Sequence, residues 1–166
     1  MQKRQPLTKL LPAALICAAV LSPAGAAETK NEITVAVAST FTTMDPWNAT
    51  DTLSQAVAKS FYEGLFKFDR AMNVVPSLAE SAESSPDGMQ HVVHLRRGVK
   101  FHDGTTFTAE AVKANFDRIT TPGSTLKRFF LFENVASLKE LDPYTVRFTL
   151  KRPNSAFINR LAHPSA

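Results

Sequence analysis

The tripeptide His102-Asp103-Gly104 holds side chains whose types could do chemistry. A histidine oriented by an aspartate is part of the triad that activates a serine or cysteine nucleophile in hydrolases. The sequence contains no G-x-S-x-G turn, and its single cysteine, Cys17, lies in an apolar run near the N-terminus. We therefore favour a turn, in which Asp103 binds backbone N–H groups and Gly104 takes a positive φ angle. A small secreted hydrolase that uses His102 and Asp103 is the alternative.

Other histidines and acidic residues show no pattern typical of a metal site or an acid–base site. His91 and His94 are three residues apart on a predicted strand, so their side chains should point to opposite faces and cannot share one ion. Glu80 and Glu83 are more simply the solvated edge of a segment than a general acid and base. The sequence thus predicts a protein that is not an enzyme and has no metal, no cofactor and no catalytic residue.

The positive charge of the chain comes largely from its N-terminus. Over 166 residues the formal net charge is +4, with 19 Lys and Arg against 15 Asp and Glu. Residues 1–26 hold three of these cations and no acid, so the remaining chain has a net charge of +1. Because the sequence also lacks a basic helix, an aromatic stacking motif and finger spacing, nucleic acid is excluded as a partner.

Residues 1–26 have the order of a secretory signal peptide. Basic side chains among residues 1–9 precede the apolar run 10–21, and Ala24-Gly25-Ala26 supplies the small residues of a cleavage site. The apolar run is too short to span a bilayer as a mature helix. We predict export with cleavage after Ala26, with Ala27 as the alternative, which removes Cys17 and leaves a chain without a thiol.

Hydrophobic periodicity predicts the strands and helices around these motifs. The β-branched run 33–38 predicts a mostly buried strand that feeds a loop. The spacing of Leu53, Val57, Phe61 and Leu65 predicts a helix of about four turns that starts at Thr52. Further predicted elements are a strand at 92–95, a helix after Thr108 that buries Val112, Phe116 and Ile119, a hairpin of 135–141 with 145–150, and a helix from Phe157. This mixture indicates an α+β or mixed α/β fold class.

The run Phe129-Phe130-Leu131-Phe132 fits no helical or strand period. Such an aromatic cluster is typical of an interface, a ligand shelf or buried packing against a part of the protein outside this sequence. The neighbouring basic pair Lys127-Arg128, like Arg96-Arg97, suits a carboxylate but is more often solvated surface. The sequence leaves these alternatives open.

Three stretches together resemble a known family. They are "TTMDPWNATDTLSQAVAKSFYEGLF" (42–66), "SLAESAESSPDGMQHVVHLRRGVKFHDGTTFTAEAVKANFDR" (77–118) and "LDPYTVRFTLKRPNSAF" (141–157). In these residues the chain resembles the extracellular solute-binding proteins of family 5, the receptors of peptide, nickel and oligopeptide ABC importers. The resemblance implies a monomeric receptor in the periplasm, which closes around glutathione or a short peptide and then docks on an inner-membrane permease.

The resemblance also implies a domain organisation. Family members are several times longer than this chain, so residues 27–166 would be the N-terminal part of lobe I, with its inserted subdomain, in a two-lobed periplasmic-binding-protein-like fold. The second lobe would be absent, and the chain would not be competent to bind ligand alone because such a cleft needs two walls. A non-functional truncated product is the alternative.

Candidate ligand-binding residues follow from the position of one loop and from the chemistry of the implied ligand. Ligands gather at the carboxyl ends of strands in open sheets, which selects the five residues after the predicted strand 33–38. An ordinary polar loop is the alternative for these five residues. Glutathione carries two carboxylates and one ammonium group, which suit cations and an acid respectively. The candidates are Ser39, Thr40, Phe41, Thr42 and Thr43 in the loop, Arg118, Lys127 and Arg128 for the carboxylates, and Asp51 for the ammonium group.

Overall fold

The structure, a computed structural model, describes residues 33–163. The predicted signal peptide, residues 1–26, lies outside the described residues. The chain divides into two units, Met1–Ala36 and Val37–Ala166, and all the helices and strands of residues 33–163 lie in the second unit. Across the described part of the chain, no helix is long and apolar enough to span a membrane.

The second unit combines antiparallel strands with short helices. In chain order its elements are α1 (Thr52–Ala58), β1 (Phe66–Phe68), β2 (Val74–Pro76), β3 (Ala79–Ser84), β4 (Gln90–Leu95), α2 (Ala109–Thr120), α3 (Phe129–Phe132), β5 (Val135–Asp142), β6 (Thr145–Leu150) and α4 (Phe157–Leu161). Four strands form one sheet in the order β3-β4-β6-β5, and β1 pairs with β2 in a separate sheet. The mixed α and β fold class is confirmed.

The hairpin of β5 and β6 follows from its sequence pattern. Val146, Phe148 and Leu150 are buried, whereas the residues between them are half-buried. The two strands pair antiparallel, with Leu138 opposite Phe148. Because side chains alternate along a strand, one face of the sheet is apolar and is covered by helices. The predicted hairpin is confirmed.

Helix α2 covers the apolar face of the sheet. Val112, Phe116 and Ile119 are buried at helical spacing, as the sequence predicts. The Phe116 ring meets the Phe148 ring edge-on, with 4.9 Å between centroids. Thr108 is the N-cap in an extended conformation. The predicted start and buried face of this helix are confirmed.

An aromatic cluster fills the space between α2, the sheet and the flanking helices. The Phe132 ring lies 5.4 Å from Trp47 and 5.1 Å from Phe116, both edge-on. The Phe148 ring lies 5.1 Å from Phe157. Trp47, Phe132, Phe148 and Phe157 are all at most 1% exposed. These rings therefore bury large apolar areas in favourable geometries and form the centre of the core.

The aromatic run 129–132 is split between two environments. It forms the short helix α3, in which Phe132 is 0% exposed and Phe130 is 53% exposed. Phe129 and Leu131 are half-buried against the core. None of the three alternatives holds for Phe132, because it packs in the core of the described chain itself.

The predicted strand at 33–38 is wrong. These residues form no strand, and Ile33, Val35 and Val37 are 91%, 75% and 55% exposed. A strand exists only through backbone hydrogen bonds to a neighbour. Within residues 33–163, no strand pairs with this segment. The β-branched residues thus favour a strand, but a strand forms only where a partner strand is present.

The predicted helix of four turns from Thr52 is wrong in its length. Helix α1 ends at Ala58, and its N-cap is Asp51. The Leu65 carbonyl accepts a hydrogen bond from the Ala79 backbone N–H at 2.8 Å. This hydrogen bond to a residue distant in sequence holds the chain around Leu65 in an extended conformation. The helix therefore does not reach Leu65, although the apolar spacing favours it.

His91 is buried in β4 beside helix α4. It is 0% exposed, its Nδ1 lies 2.8 Å from Ser84 Oγ, and its ring lies 4.9 Å from the Phe157 ring. Burial lowers the pKa of the His91 imidazole from its ordinary value of about 6.5. His94, three residues further on, is half-buried on the opposite face of the strand, as predicted.

The free energy of unfolding is expected to decrease as the pH is lowered from about 7.5 to about 5.5. Below about pH 6.5 the imidazole of His91 binds a proton in the unfolded chain, whereas burial disfavours this protonation in the folded chain. Urea denaturation of the wild type and of His91→Phe at both pH values measures this effect. Phenylalanine can still stack on Phe157 but cannot bind a proton, so the free energy of unfolding of the variant should depend less on pH. The same substitution at exposed His102 is the control, and an equal reduction there would contradict the assignment to His91.

Candidate functional site

The loop 39–51 leads into α1 and is held by the buried side chain of Ser54. Ser54 Oγ accepts hydrogen bonds from the backbone N–H groups of Thr42, at 2.9 Å, and Thr43, at 3.3 Å. Since Ser54 is 0% exposed, these bonds fix the loop against the helix. The Thr42 hydroxyl also donates to Asp51 Oδ2 at 2.7 Å. Three candidate residues, Thr42, Thr43 and Asp51, are therefore brought together.

Asp51 is the N-cap of α1. Its Oδ1 accepts a hydrogen bond from the Ser54 backbone N–H at 2.7 Å. The hydroxyl of Thr42 and then this N–H lower the pKa of the Asp51 carboxyl to about 2. The side chain is thus an anion near neutral pH, which suits an ammonium group, although both its oxygens already bind protein groups.

Asp45 ties together the middle of the loop. Its Oδ1 accepts from the Trp47 backbone N–H at 3.1 Å, and its Oδ2 accepts from the Asn48 amide at 2.9 Å. Arg118 of α2 donates to both oxygens, with Nη1 3.1 Å from Oδ1. The Arg118 guanidinium is the main cause that lowers the pKa of the Asp45 carboxyl. In return, Asp45 raises the pKa of Arg118.

The basic pair Lys127-Arg128 contacts the same loop. The Arg128 backbone N–H donates to the Trp47 carbonyl at 2.9 Å, and Arg128 Nε donates to the Ala49 carbonyl at 2.9 Å. The Lys127 backbone N–H donates to Asn48 Oδ1 at 3.3 Å. All three candidate cations, although distant in sequence, therefore lie beside residues of the loop.

Four exposed candidates differ from Thr42 and Arg118, which are also exposed but whose side chains are hydrogen-bonded. Ser39, Thr40, Phe41 and Lys127 are exposed, and Phe41 is 42% exposed. Within residues 33–163 their side chains make no hydrogen bond. They are therefore free to meet a ligand, whereas the side chains of the other five candidates also hold the loop; these are Thr42, Thr43, Asp51, Arg118 and Arg128. Ligand contact by any of the nine candidates stays a prediction.

Sequence reasoning missed three residues that build this loop. They are Asp45, Ser54 and Asn115, whose Oδ1 accepts a hydrogen bond from Trp47 Nε1 at 3.0 Å. In the sequence, Asp45-Pro46 indicates only a turn, and a serine or asparagine within a helical pattern indicates a solvent-facing position. Their partners arise when α1 and α2 meet the loop.

A solvent-open groove of about 1090 Å³ lies against the loop. Its wall includes Asp45, Trp47, Lys59, Tyr62, Phe101 and Arg118. Such a lining combines aromatic surface with cations, which can contact the apolar part and the anionic groups of a small ligand.

The tripeptide His102-Asp103-Gly104 is a turn. Asp103 Oδ1 accepts hydrogen bonds from the Thr105 backbone N–H at 2.9 Å and from the Thr105 hydroxyl at 2.7 Å. Gly104 has a φ angle of 87°. The favoured hypothesis for this motif is confirmed. In the stretch 33–163, no group of three or more His, Cys, Asp or Glu side chains could hold a metal ion.

Residues 73–166 match the family described as "Bacterial extracellular solute-binding proteins, family 5 Middle". The chain belongs to this family. The resemblance noted in the sequence is thus confirmed. The family-5 assignment covers the four-stranded sheet and helices α2, α3 and α4, and the loop 39–51 precedes it.

Curated relatives extend the match toward the N-terminus. The glutathione-binding protein GsiB of Escherichia coli strain K12 is 57% identical to this family-5 chain over 134 residues, which are 81% of this chain and 26% of the relative. GsiB of Escherichia coli O1:K1 is 58% identical over 134 residues, which again are 81% of this chain and 26% of the relative. The chain therefore spans about a quarter of the length of the curated relatives it matches.

Solved structures of other binding proteins share the fold of this chain. The binding protein AgaA of A. tumefaciens R10, in complex with agropinic acid, has a TM-score of 0.72 and 34% identity, with 76% of this chain and 26% of that chain covered. The periplasmic binding protein DppA of Helicobacter pylori, in complex with the peptide STSA, has a TM-score of 0.63 and 28% identity, with 74% and 27% covered. The chain is therefore similar to solute-binding proteins.

Proposed function

We propose that this chain is part of the periplasmic solute-binding component of an ABC importer for glutathione or short peptides. The observation that supports it most directly is the 57% identity to glutathione-binding proteins over 134 residues. The proposal includes export by residues 1–26, action as a monomer, and docking of the loaded receptor on an inner-membrane permease.

We also propose that residues 27–166 supply one wall of the ligand cleft, as the N-terminal part of lobe I with its inserted subdomain. The opposing wall is proposed to belong to a second lobe. A cleft closes around its ligand between two lobes, so one wall alone makes only part of the contacts. The chain by itself is accordingly proposed to bind weakly.

On this wall, the loop offers polar groups of the kinds that glutathione needs. Hydroxyls of Ser39, Thr40, Thr42 and Thr43 can bind its amides, and Phe41 offers an aromatic face. Lys127 and Arg128 carry the positive charge for its carboxylates, and Asp51 the negative charge for its ammonium group. The remaining candidate, Arg118, is already bound to Asp45, and its proposed role is to position the loop.

A chimera tests this proposal. Residues 33–163 replace the matching segment of Escherichia coli GsiB, and calorimetry measures binding of glutathione to the chimera and to this chain alone. We expect the chimera to bind glutathione, and the chain alone to bind at least about 100-fold more weakly, since this chain is proposed to supply only one wall of the cleft.

The outcomes separate the parts of the proposal. A chimera that unfolds cooperatively and binds tripeptides without cysteine but not glutathione would change the ligand class. A folded chimera that binds neither would contradict the proposed function. Binding by the isolated chain that equals that of the chimera would contradict the idea that it forms only one wall.

A further inference from the structure

The exposed side of α2 holds the loop 39–51 through two side chains. Asn115 and Arg118 are three residues apart, so they lie on the same side of the helix. Asn115 binds the indole of Trp47, and Arg118 binds the carboxylate of Asp45. The loop is therefore attached to α2 at two points.

Hydrogen bonds connect the Asp45–Arg118 pair to the predicted ligand-binding residues. The Asp45 backbone N–H donates to Thr43 Oγ1 at 3.1 Å. The Thr43 backbone N–H donates to buried Ser54 at 3.3 Å. A movement of Asp45 away from α2 would thus disturb Thr43 directly.

Two nitrogens of the Arg118 guanidinium, Nη1 and Nη2, donate to Asp45. Both carboxylate oxygens accept from it, and each also accepts one donor from the loop itself, from Trp47 or Asn48. A planar guanidinium matches a carboxylate in this two-point geometry. A ligand carboxylate would have to displace Asp45 before it could use the same donors.

We propose that Arg118 is a positioning residue: it holds Asp45, and through Asp45 it fixes the loop that carries Ser39 to Thr43, without itself touching ligand. The ligand side of this inference rests on the proposed function. The attachment of the loop to α2 does not, and it can be measured without ligand.

Hydrogen exchange of the full chain tests the attachment. In Arg118→Gln, the backbone amides of Thr42, Thr43 and Trp47 should exchange about three- to tenfold faster, a range that discounts the strength of a charged pair for its partial exposure. Arg118→Lys keeps the charge but not the two-point geometry, so its rates should fall between those of wild type and Arg118→Gln.

The matched control is Lys113→Gln. Lys113 also lies on α2, where it pairs with Asp117 one turn away, and the substitution removes the same charge without touching the loop. It should change the rates of the loop amides less than about twofold. The fluorescence of Trp47, the single tryptophan of the sequence, gives a second signal, with a red shift expected in Arg118→Gln and not in the control.

Three results would overturn the inference. They are unchanged loop amides in Arg118→Gln, an equal acceleration in Lys113→Gln, or an acceleration that is as large in β4 and β6 as in the loop. If the loop amides respond as expected while the chimera with GsiB binds no glutathione, the attachment is supported and the proposed function fails by itself.

Discussion

Replacement of Phe132 by alanine is expected to lower the free energy of unfolding by about 3–5 kcal/mol. Phe132 is 0% exposed, and its ring contacts those of Trp47 and Phe116. The variant loses buried apolar area and leaves a cavity, because the two remaining rings are fixed by other contacts. Urea denaturation followed by circular dichroism measures the loss.

The control for this prediction lies on the same short helix. Phe130 is 53% exposed, so Phe130→Ala removes a side chain that is half in water, and the expected loss is under about 1 kcal/mol. Similar losses for the two variants would mean that α3 is not docked with Phe132 inward, and the aromatic core described above would be incorrect.

Ser54→Ala is expected to lower the free energy of unfolding by about 1–3 kcal/mol, although alanine favours a helix more than serine does. The hydroxyl of Ser54 accepts the backbone N–H groups of Thr42 and Thr43 in a site that is 0% exposed. Without it, these two N–H groups lose their acceptor. Chemical denaturation gives the total loss, and hydrogen exchange shows whether the loop opens first.

Ser60→Ala is the matched control for Ser54→Ala. Ser60 follows the end of α1 and is exposed, so water can replace any bond its hydroxyl makes. We expect a change within about 0.5 kcal/mol. If Ser54→Ala were as mild as this control, the buried hydroxyl would not be what fixes the loop to α1.

Helices and strands with one buried face were predictable when their apolar residues recur with a regular period. The spacing of Val112, Phe116 and Ile119 gives the buried side of α2, and the alternation around Phe148 gives the hairpin. The turn at Asp103-Gly104 was also predictable, since its hydrogen bonds join residues two positions apart. In each case the decisive interactions are local or follow directly from the period.

The candidate site was predictable only in part. The residue types that suit a small charged ligand pointed to Asp51 and to the cations at 118, 127 and 128, and the structure places all of them at the loop 39–51. The bonds that the three cations make were not predictable, because each partner lies in the loop 39–51, about seventy to eighty positions away. Arg118, selected as a ligand cation, is bound to Asp45, some seventy positions away.

By itself, the sequence determined the family, through its resemblance to known members. It also determined the mixed fold class, the buried face of α2 and the strands of the hairpin, because these follow periods of two or 3.6 residues. Tertiary structure alone decided that α1 stops at Ala58, that the segment 33–38 has no partner strand among residues 33–163, and that Ser54 and Asp45 hold the loop. These outcomes depend on which backbone and side-chain groups find hydrogen-bond partners on other elements, and such pairings are created only when the chain folds.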